Sequence, residues 1–173
     1  MKYVFICLAI TLSGSSMSQT IIHRDKEIDQ MVKEVNKDTL TKYIDKLVSF
    51  GTRNTLSTQS NNARGIGAAR NWVLQKFNEY SKQSNNKLSA YIDTVTYPAD
   101  GKRVDRKIIL GNVVAILKGT DTSDKRIFVI SGHLDDMRTN VMDSVADAPG
   151  ANDDASGCAA VLECARIMSK HQF

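Results

Sequence analysis

The chain has 173 residues, of which 42% are hydrophobic and 24% charged, with a formal net charge of +4, the size and mix of one ordinary globular domain. Its lysines and arginines are spread among acids, as in HRDKEID, TKYIDK and TSDKR. No basic stripe with interleaved aromatics results, which excludes a nucleic-acid-binding surface of the usual kind.

The first element in chain order is a targeting segment. MKYVFICLAITLSGSSMSQ has a short positive start at Lys2, an apolar stretch from Tyr3 to Leu12, and small residues at Ser16 and Ser18. The apolar stretch is too short to span a bilayer, which takes about 20 residues of helix. Residues 1–18 are therefore expected to be a cleaved signal peptide, leaving residues 19–173 as a secreted or periplasmic domain without membrane attachment.

From Lys26 to Val48 the apolar positions Ile28, Met31, Val32 and Val35, then Leu40, Tyr43, Ile44 and Leu47, recur at spacings of three and four. That period predicts one or two amphipathic helices. SFGTRNTLSTQSNNAR is expected to be a polar loop, and GIGAARNWVLQKFNEY resumes the helical period at Ile66, Ala69, Val73, Phe77 and Tyr80. Three strand-like segments follow: LSAYIDTVTY, KIILGNVVAILKG and RIFVISGH. The last two are apolar on both faces, the pattern of strands covered on each side. The run Cys158 to Met168 is expected to be a helix, apolar nearly all round, with Glu163 and Arg166 pairing at i,i+3 on its exposed edge. Helices and covered strands together predict a three-layer α/β domain.

Three patterns are set aside before the acids are considered. Cys158 and Cys164 on one helix would be separated by about 9 Å of rise, beyond the roughly 7 Å a disulfide tolerates, and no metal-binding cysteine spacing is present, so both are expected to be small buried hydrophobes. Gly65 and Gly67 of GIGAAR follow a polar loop rather than a strand, and the third glycine of a dinucleotide fingerprint is absent. NDDASGCAAVLE has the spacing of a calcium loop, with Asn152, Asp154, Ser156, Gly157 and Glu163 at the ligand and turn positions. It lacks an acid at the first position and an entering helix, and it remains the non-catalytic alternative.

In open α/β sheets the functional crevice lies beyond the carboxyl ends of the strands, where His133 ends RIFVISGH. In extended backbone residues i and i+2 point the same way, so Asp135 can lie beside the His133 ring. A carboxylate that takes one imidazole N–H fixes the tautomer and leaves the other nitrogen for a metal. Downstream, DAPGANDDASG sets Asp153 and Asp154 side by side among small residues at the start of an apolar helix. The helix dipole favours an acid there by roughly 0.3 to 1 kcal/mol, enough to explain one cap, Asp154 or Ser156, but not its acidic neighbour. A divalent cation explains both, and with His133 as nitrogen donor and Asp153 as oxygen donor zinc is the first expectation, cobalt or manganese being compatible.

SGHLDDM and DAPGANDDASGCAAVLE, with LVSFGTRNTLS and GIGAARNW upstream, closely resemble the exported co-catalytic zinc aminopeptidases of metallopeptidase family twenty-eight, which include bacterial leucyl aminopeptidases and aminopeptidase Y. The resemblance implies a phosphorylase/hydrolase-like fold with a mixed central sheet, two zinc ions per intact site, and peptides or proteins as substrates. It implies that His133 binds one zinc, that Asp135 orients His133, that Asp153 bridges both ions, and that the Asp153–Asp154 peptide is cis. It further implies hydrolysis by a zinc-activated water with a glutamate as general base. Glutaminyl cyclases with one zinc and non-catalytic receptor domains are similar to the same pattern and stay open as alternatives.

The resemblance also carries an expectation of incompleteness. Family members continue to a Glu-Glu pair, an aspartate ligand and a histidine ligand, which IMSKHQF lacks. The chain is therefore expected to be the N-terminal portion of a peptidase domain, inactive alone and ending after the helix that follows the metal-binding loop. His171 is expected to be solvated.

Overall fold

The structure, a computed structural model, describes residues 25–173; the signal-peptide expectation for residues 1–18 lies outside them. The apolar period at the start forms two helices, α1 (Lys26–Lys33) and α2 (Lys37–Val48). They break where Asn36 caps the second helix, its Oδ1 accepting from the Thr39 N–H at 2.9 Å. Asp25 caps α1 in the same way, accepting from Glu27 N at 2.7 Å. Only Tyr43 and Leu47 of these helices are buried.

Helix α3 (Gly65–Gln83) has no side-chain cap of its own. Its free amides go instead to the preceding loop: Ile66 N donates to Ser57 Oγ at 2.9 Å and Gly67 N to the Thr58 carbonyl at 3.2 Å. The loop lies so close that a Cβ at Gly67 would collide with the Gln59 carbonyl. The sequence expectation of a merely polar loop is thus corrected. Thr52, Arg53, Asn54 and Ser57 are buried, because their polar groups are satisfied inside the fold.

Strands β1 (Leu88–Tyr97) and β2 (Ile108–Leu117) pair antiparallel from Leu88↔Leu117 to Tyr97↔Ile108. Among the described residues the sheet has these two strands, and it packs against α3. β2 is consequently not covered on both faces, with Ile109 and Ile116 exposed. The third expected strand, RIFVISGH, is a correction: Arg126–His133 forms no backbone ladder, and Ile127 and Phe128 are 86% and 83% exposed. Apolarity marks a segment fit for a sheet interior, but a strand exists only where a neighbour supplies the hydrogen bonds.

Helix α4 (Ser156–Met168) closes the chain against α2 and α3. The core joins Tyr43, Leu47 and Phe50 to Ala69, Val73, Phe77 and Tyr80 of α3 and to Ala155, Ala159 and Leu162 around α4. The Tyr43 and Tyr80 hydroxyls satisfy each other at 2.5 Å inside it. Glu163 and Arg166 pair as expected, through two bonds of 2.7 Å, but Glu163 is 2% exposed rather than on an open edge. It also accepts the Asn36 N–H at 2.8 Å, welding α4 to the start of α2. His171, expected to be solvated, is held against α1, its Nδ1 3.1 Å from Glu27 Oε1. Among the described residues no helix is long and apolar enough to cross a membrane.

Candidate metal centre

Two segments that no regular element contains carry the acids and the histidine. The first, Gly132 to Asp136, runs in front of the N-terminus of α4. The second is a five-residue turn, Ala151–Ala155, entered through Gly150 in the left-handed region (φ 47°). A side chain at Gly150 would be strained in that conformation and would meet Arg53, Asp136 and the Asp153 carbonyl. Within the turn Asp153 (φ −118°, ψ 94°) and Asp154 (φ −131°, ψ 40°) leave helical angles, and the peptide between them is cis, at the bond where the resemblance places it.

The two neighbouring aspartates have different duties. Asp154 turns inward: Oδ2 accepts the His133 N–H at 3.0 Å, and Oδ1 accepts the Gly157 N–H at 2.9 Å in the first turn of α4. A Cβ on Gly157 would land on that carboxylate, so the glycine gives the acid its room. Asp153 turns outward, its side chain 86% exposed, and its Oδ1 lies 2.8 Å from His133 Nε2.

The other ring nitrogen of His133 is engaged by residue 135, though chiefly through the main chain. Nδ1 is 3.1 Å from the Asp135 carbonyl oxygen and 3.6 Å from its Oδ1. The Asp135 carboxylate also accepts the Thr55 hydroxyl at 3.1 Å. Its slight burial disfavours a charged His133, but the Asp135 carbonyl and the carboxylates of Asp154, Asp135 and Asp153 outweigh it, and the imidazole pKa is raised.

The residues fit a metal on chemical grounds. An imidazole with Nδ1 fixed by a carbonyl presents Nε2 as a ligand, and an exposed carboxylate converges on it. At 2.8 Å the pair is in polar contact; two ligands of one tetrahedral zinc sit somewhat over 3 Å apart for bonds of about 2.0–2.1 Å. A small opening of the pair accommodates the ion. Among the described residues no third His, Cys, Asp or Glu joins them to make a metal-binding group. The calcium-loop spacing does not converge either: Glu163 is committed to Arg166 and Asn36, and Ser156 Oγ donates to the Asn152 carbonyl at 2.8 Å.

Sequence reasoning brought His133, Asp135 and Asp153 together, and the structure places all three within this cluster. It missed Arg53 and Asp136. The Arg53 side chain, 1% exposed, gives Nε to the Leu134 carbonyl at 2.8 Å, Nη1 to Leu47 at 3.1 Å and Pro149 at 2.9 Å, and Nη2 to Gly150 at 3.0 Å. Asp136 lies against it, Oδ2 3.2 Å from Nη1, while Oδ1 accepts the Arg53 N–H at 2.8 Å. Burial raises the Asp136 pKa despite those bonds. The available signal was the apolar bracket around TRN, with Phe50 before it and Leu56 after, both buried.

An imidazole and an aspartate thus converge ahead of α4, backed by a buried arginine. Residues 112–173 match the model of Peptidase family M28. Among curated proteins the chain is similar to a probable zinc metalloprotease of Leptosphaeria maculans, 41% identical over 148 residues, covering 86% of this chain and 34% of the relative. Probable zinc metalloproteases of Pyrenophora tritici-repentis (40% identical, 86% and 34% covered) and Pyricularia oryzae (41% identical, 84% and 28% covered) are similar to it as well. The chain therefore spans about a third of the length of the curated relatives it matches. No solved structure matches it.

Proposed function

We propose that the protein is a zinc-dependent peptidase of the M28 type, an exported aminopeptidase acting on peptides, with His133 and Asp153 as two of its metal ligands. The observation that carries this reading is the approach of Asp153 Oδ1 to His133 Nε2 while Nδ1 is held by residue 135. The match to the M28 family and the names of the relatives support zinc as the ion and hydrolysis as the reaction.

Bound zinc would supply Lewis acidity toward the scissile carbonyl and lower the pKa of an attacking water. The chain's own residues do the positioning. Asp135 keeps His133 in one tautomer and orientation. Asp154 anchors the His133 backbone to the first turn of α4, so the imidazole and Asp153 cannot drift apart independently. Among the described residues Asp153 has no side-chain partner other than His133, which leaves Oδ2 free for a second ion and supports a bridging role. The apolar Ile127–Ile130 run supports a larger, three-layer sheet in which this segment becomes a covered strand ending at the metal. The apolar Tyr3–Leu12 stretch supports export.

The test is metal content and turnover of the native protein. Purified wild type is expected to contain zinc and to release N-terminal amino acids, to lose activity to a chelator and to regain it with zinc. Asp153→Asn and His133→Ala are expected to fold, to lose zinc and to lose turnover. Wild-type protein free of zinc, or undiminished turnover in Asp153→Asn, refutes the proposal.

A further inference from the structure

We propose that Arg53 is the positioning residue that sets the spacing of the His133–Asp153 pair, an inference that rests on the metal-centre reading above. The guanidinium lies behind the site rather than in it. Its Nε hydrogen bonds the carbonyl of Leu134, the residue between His133 and Asp135, while Nη1 and Nη2 bond the carbonyls of Pro149 and Gly150, which lead into the Asp153 turn. One rigid planar group thus grips the backbone of both ligand-bearing segments at once. A fourth carbonyl, that of Leu47 at the end of α2, fixes the guanidinium to the helical core.

The choice of residue follows from this geometry. Four carbonyls are met by a fork of fixed angles, which a lysine ammonium on a flexible stem cannot reproduce. Both Nη1 hydrogens are directed at carbonyls, so Asp136 Oδ2, at 3.2 Å, acts as counter-charge rather than as an aligned acceptor. Asp136 supplies that charge from the same segment as His133, and its Oδ1 holds the Arg53 N–H, so the clamp is locked at both backbone and side chain. Asp154 ties the two segments together on the ligand side, and Arg53 ties them from behind. With both ties in place neither segment can slide past the other, and the metal meets a preformed pair of donors. Groups that orient metal ligands in this way typically change metal affinity by 10–100-fold when removed.

The experiment measures Co2+ binding to the native protein after zinc removal, by visible absorption and by chelator competition, together with thermal melting. Variants Arg53→Lys, Asp136→Asn, His133→Ala and Phe77→Leu are compared, the last a core change remote from both segments. Arg53→Lys is expected to remain folded at the assay temperature, to bind Co2+ about 10–100-fold more weakly and to show an altered visible band. Phe77→Leu is expected to melt lower with wild-type affinity and band. Should Arg53→Lys fail to fold, Asp136→Asn decides, with the same spectral change expected. A folded Arg53→Lys or Asp136→Asn with wild-type affinity and band overturns the proposal, as does a loss in Phe77→Leu that matches its own fall in melting temperature. Wild-type protein that takes up no Co2+, or a His133→Ala that takes up as much, overturns the metal-centre reading itself.

Discussion

Replacing Glu163 by Gln tests the junction that fixes α4, and with it the Asp153–Asp154 turn, to the N-terminal helices. Oε1 accepts from Arg166 Nη2 at 2.7 Å and from Asn36 N at 2.8 Å, and Oε2 accepts from Arg166 Nε at 2.7 Å. A glutamine can keep the first two through its carbonyl, but its NH2 then faces the Arg166 Nε–H, donor against donor. One charge-assisted bond is lost, about 1.5–3 kcal/mol, and the remaining two become neutral-acceptor bonds. The relief of carboxylate desolvation offsets part of this, leaving a net loss of about 2–3 kcal/mol, below the roughly 3–5 kcal/mol for stripping one partner from a buried pair. For a chain of this size that is a fall in melting temperature of about 4–12 °C.

The pH dependence has a definite sign. Burial acts to raise the Glu163 pKa, but the bonds from Arg166 and Asn36 outweigh it, and the folded-state value lies below the ordinary 4.5. The native state therefore binds fewer protons than the unfolded chain. The stabilisation is fully present above about pH 4.5 and disappears as the pH falls through the folded-state value. Urea denaturation followed by circular dichroism and by the fluorescence of Trp72, which contacts Tyr43 and Phe50, gives the difference between wild type and Glu163→Gln at pH 7, 5, 4 and 3. The difference is expected to be full at pH 7 and 5 and to shrink toward pH 3. A difference under about 0.5 kcal/mol at pH 7, or one unchanged by acid, refutes the assignment of a stabilising buried carboxylate.

Two further outcomes follow from the same geometry. Burial, and secondarily Asp154, push the Cys158 thiol up to about 11, so peptide mapping after native alkylation at pH 8 is expected to find the half-buried Cys164 labelled well before Cys158; equal rates would contradict the burial. Gly157→Ala places a methyl group on the Asp154 carboxylate, so metal uptake measured by mass spectrometry is expected to fall while helical circular dichroism is retained; full uptake would mean that the turn accommodates the change elsewhere.

The helices were legible because an amphipathic period is a local property: Ile66, Ala69, Val73, Phe77 and Tyr80 lie on one face of α3 whatever else the chain does, and the structure buries them. β1 and β2 were legible for a similar reason, their β-branched runs being adjacent in sequence and free to pair with each other. RIFVISGH has the same composition but no adjacent partner, and composition does not supply one. At the site, His133 and Asp153 could be placed because a strand end and a helix start are recognisable from sequence. That residue 135 reaches the imidazole chiefly through its carbonyl could not, since the main chain is the same at every position. Arg53 escaped notice because polarity was equated with exposure, whereas a guanidinium each of whose three nitrogens meets a carbonyl is stable inside. His171 escaped because its partner Glu27 is 144 residues away.

The Arg53 clamp has a kinetic corollary. Its carbonyl partners at Leu134 and Gly150 lie 81 and 97 residues along the chain. Local helices can form in microseconds, but closures of this span are late events in folding. Bringing His133 and Asp153 together therefore depends on contacts remote in sequence, whose loop-closure cost must be met before the pair can form.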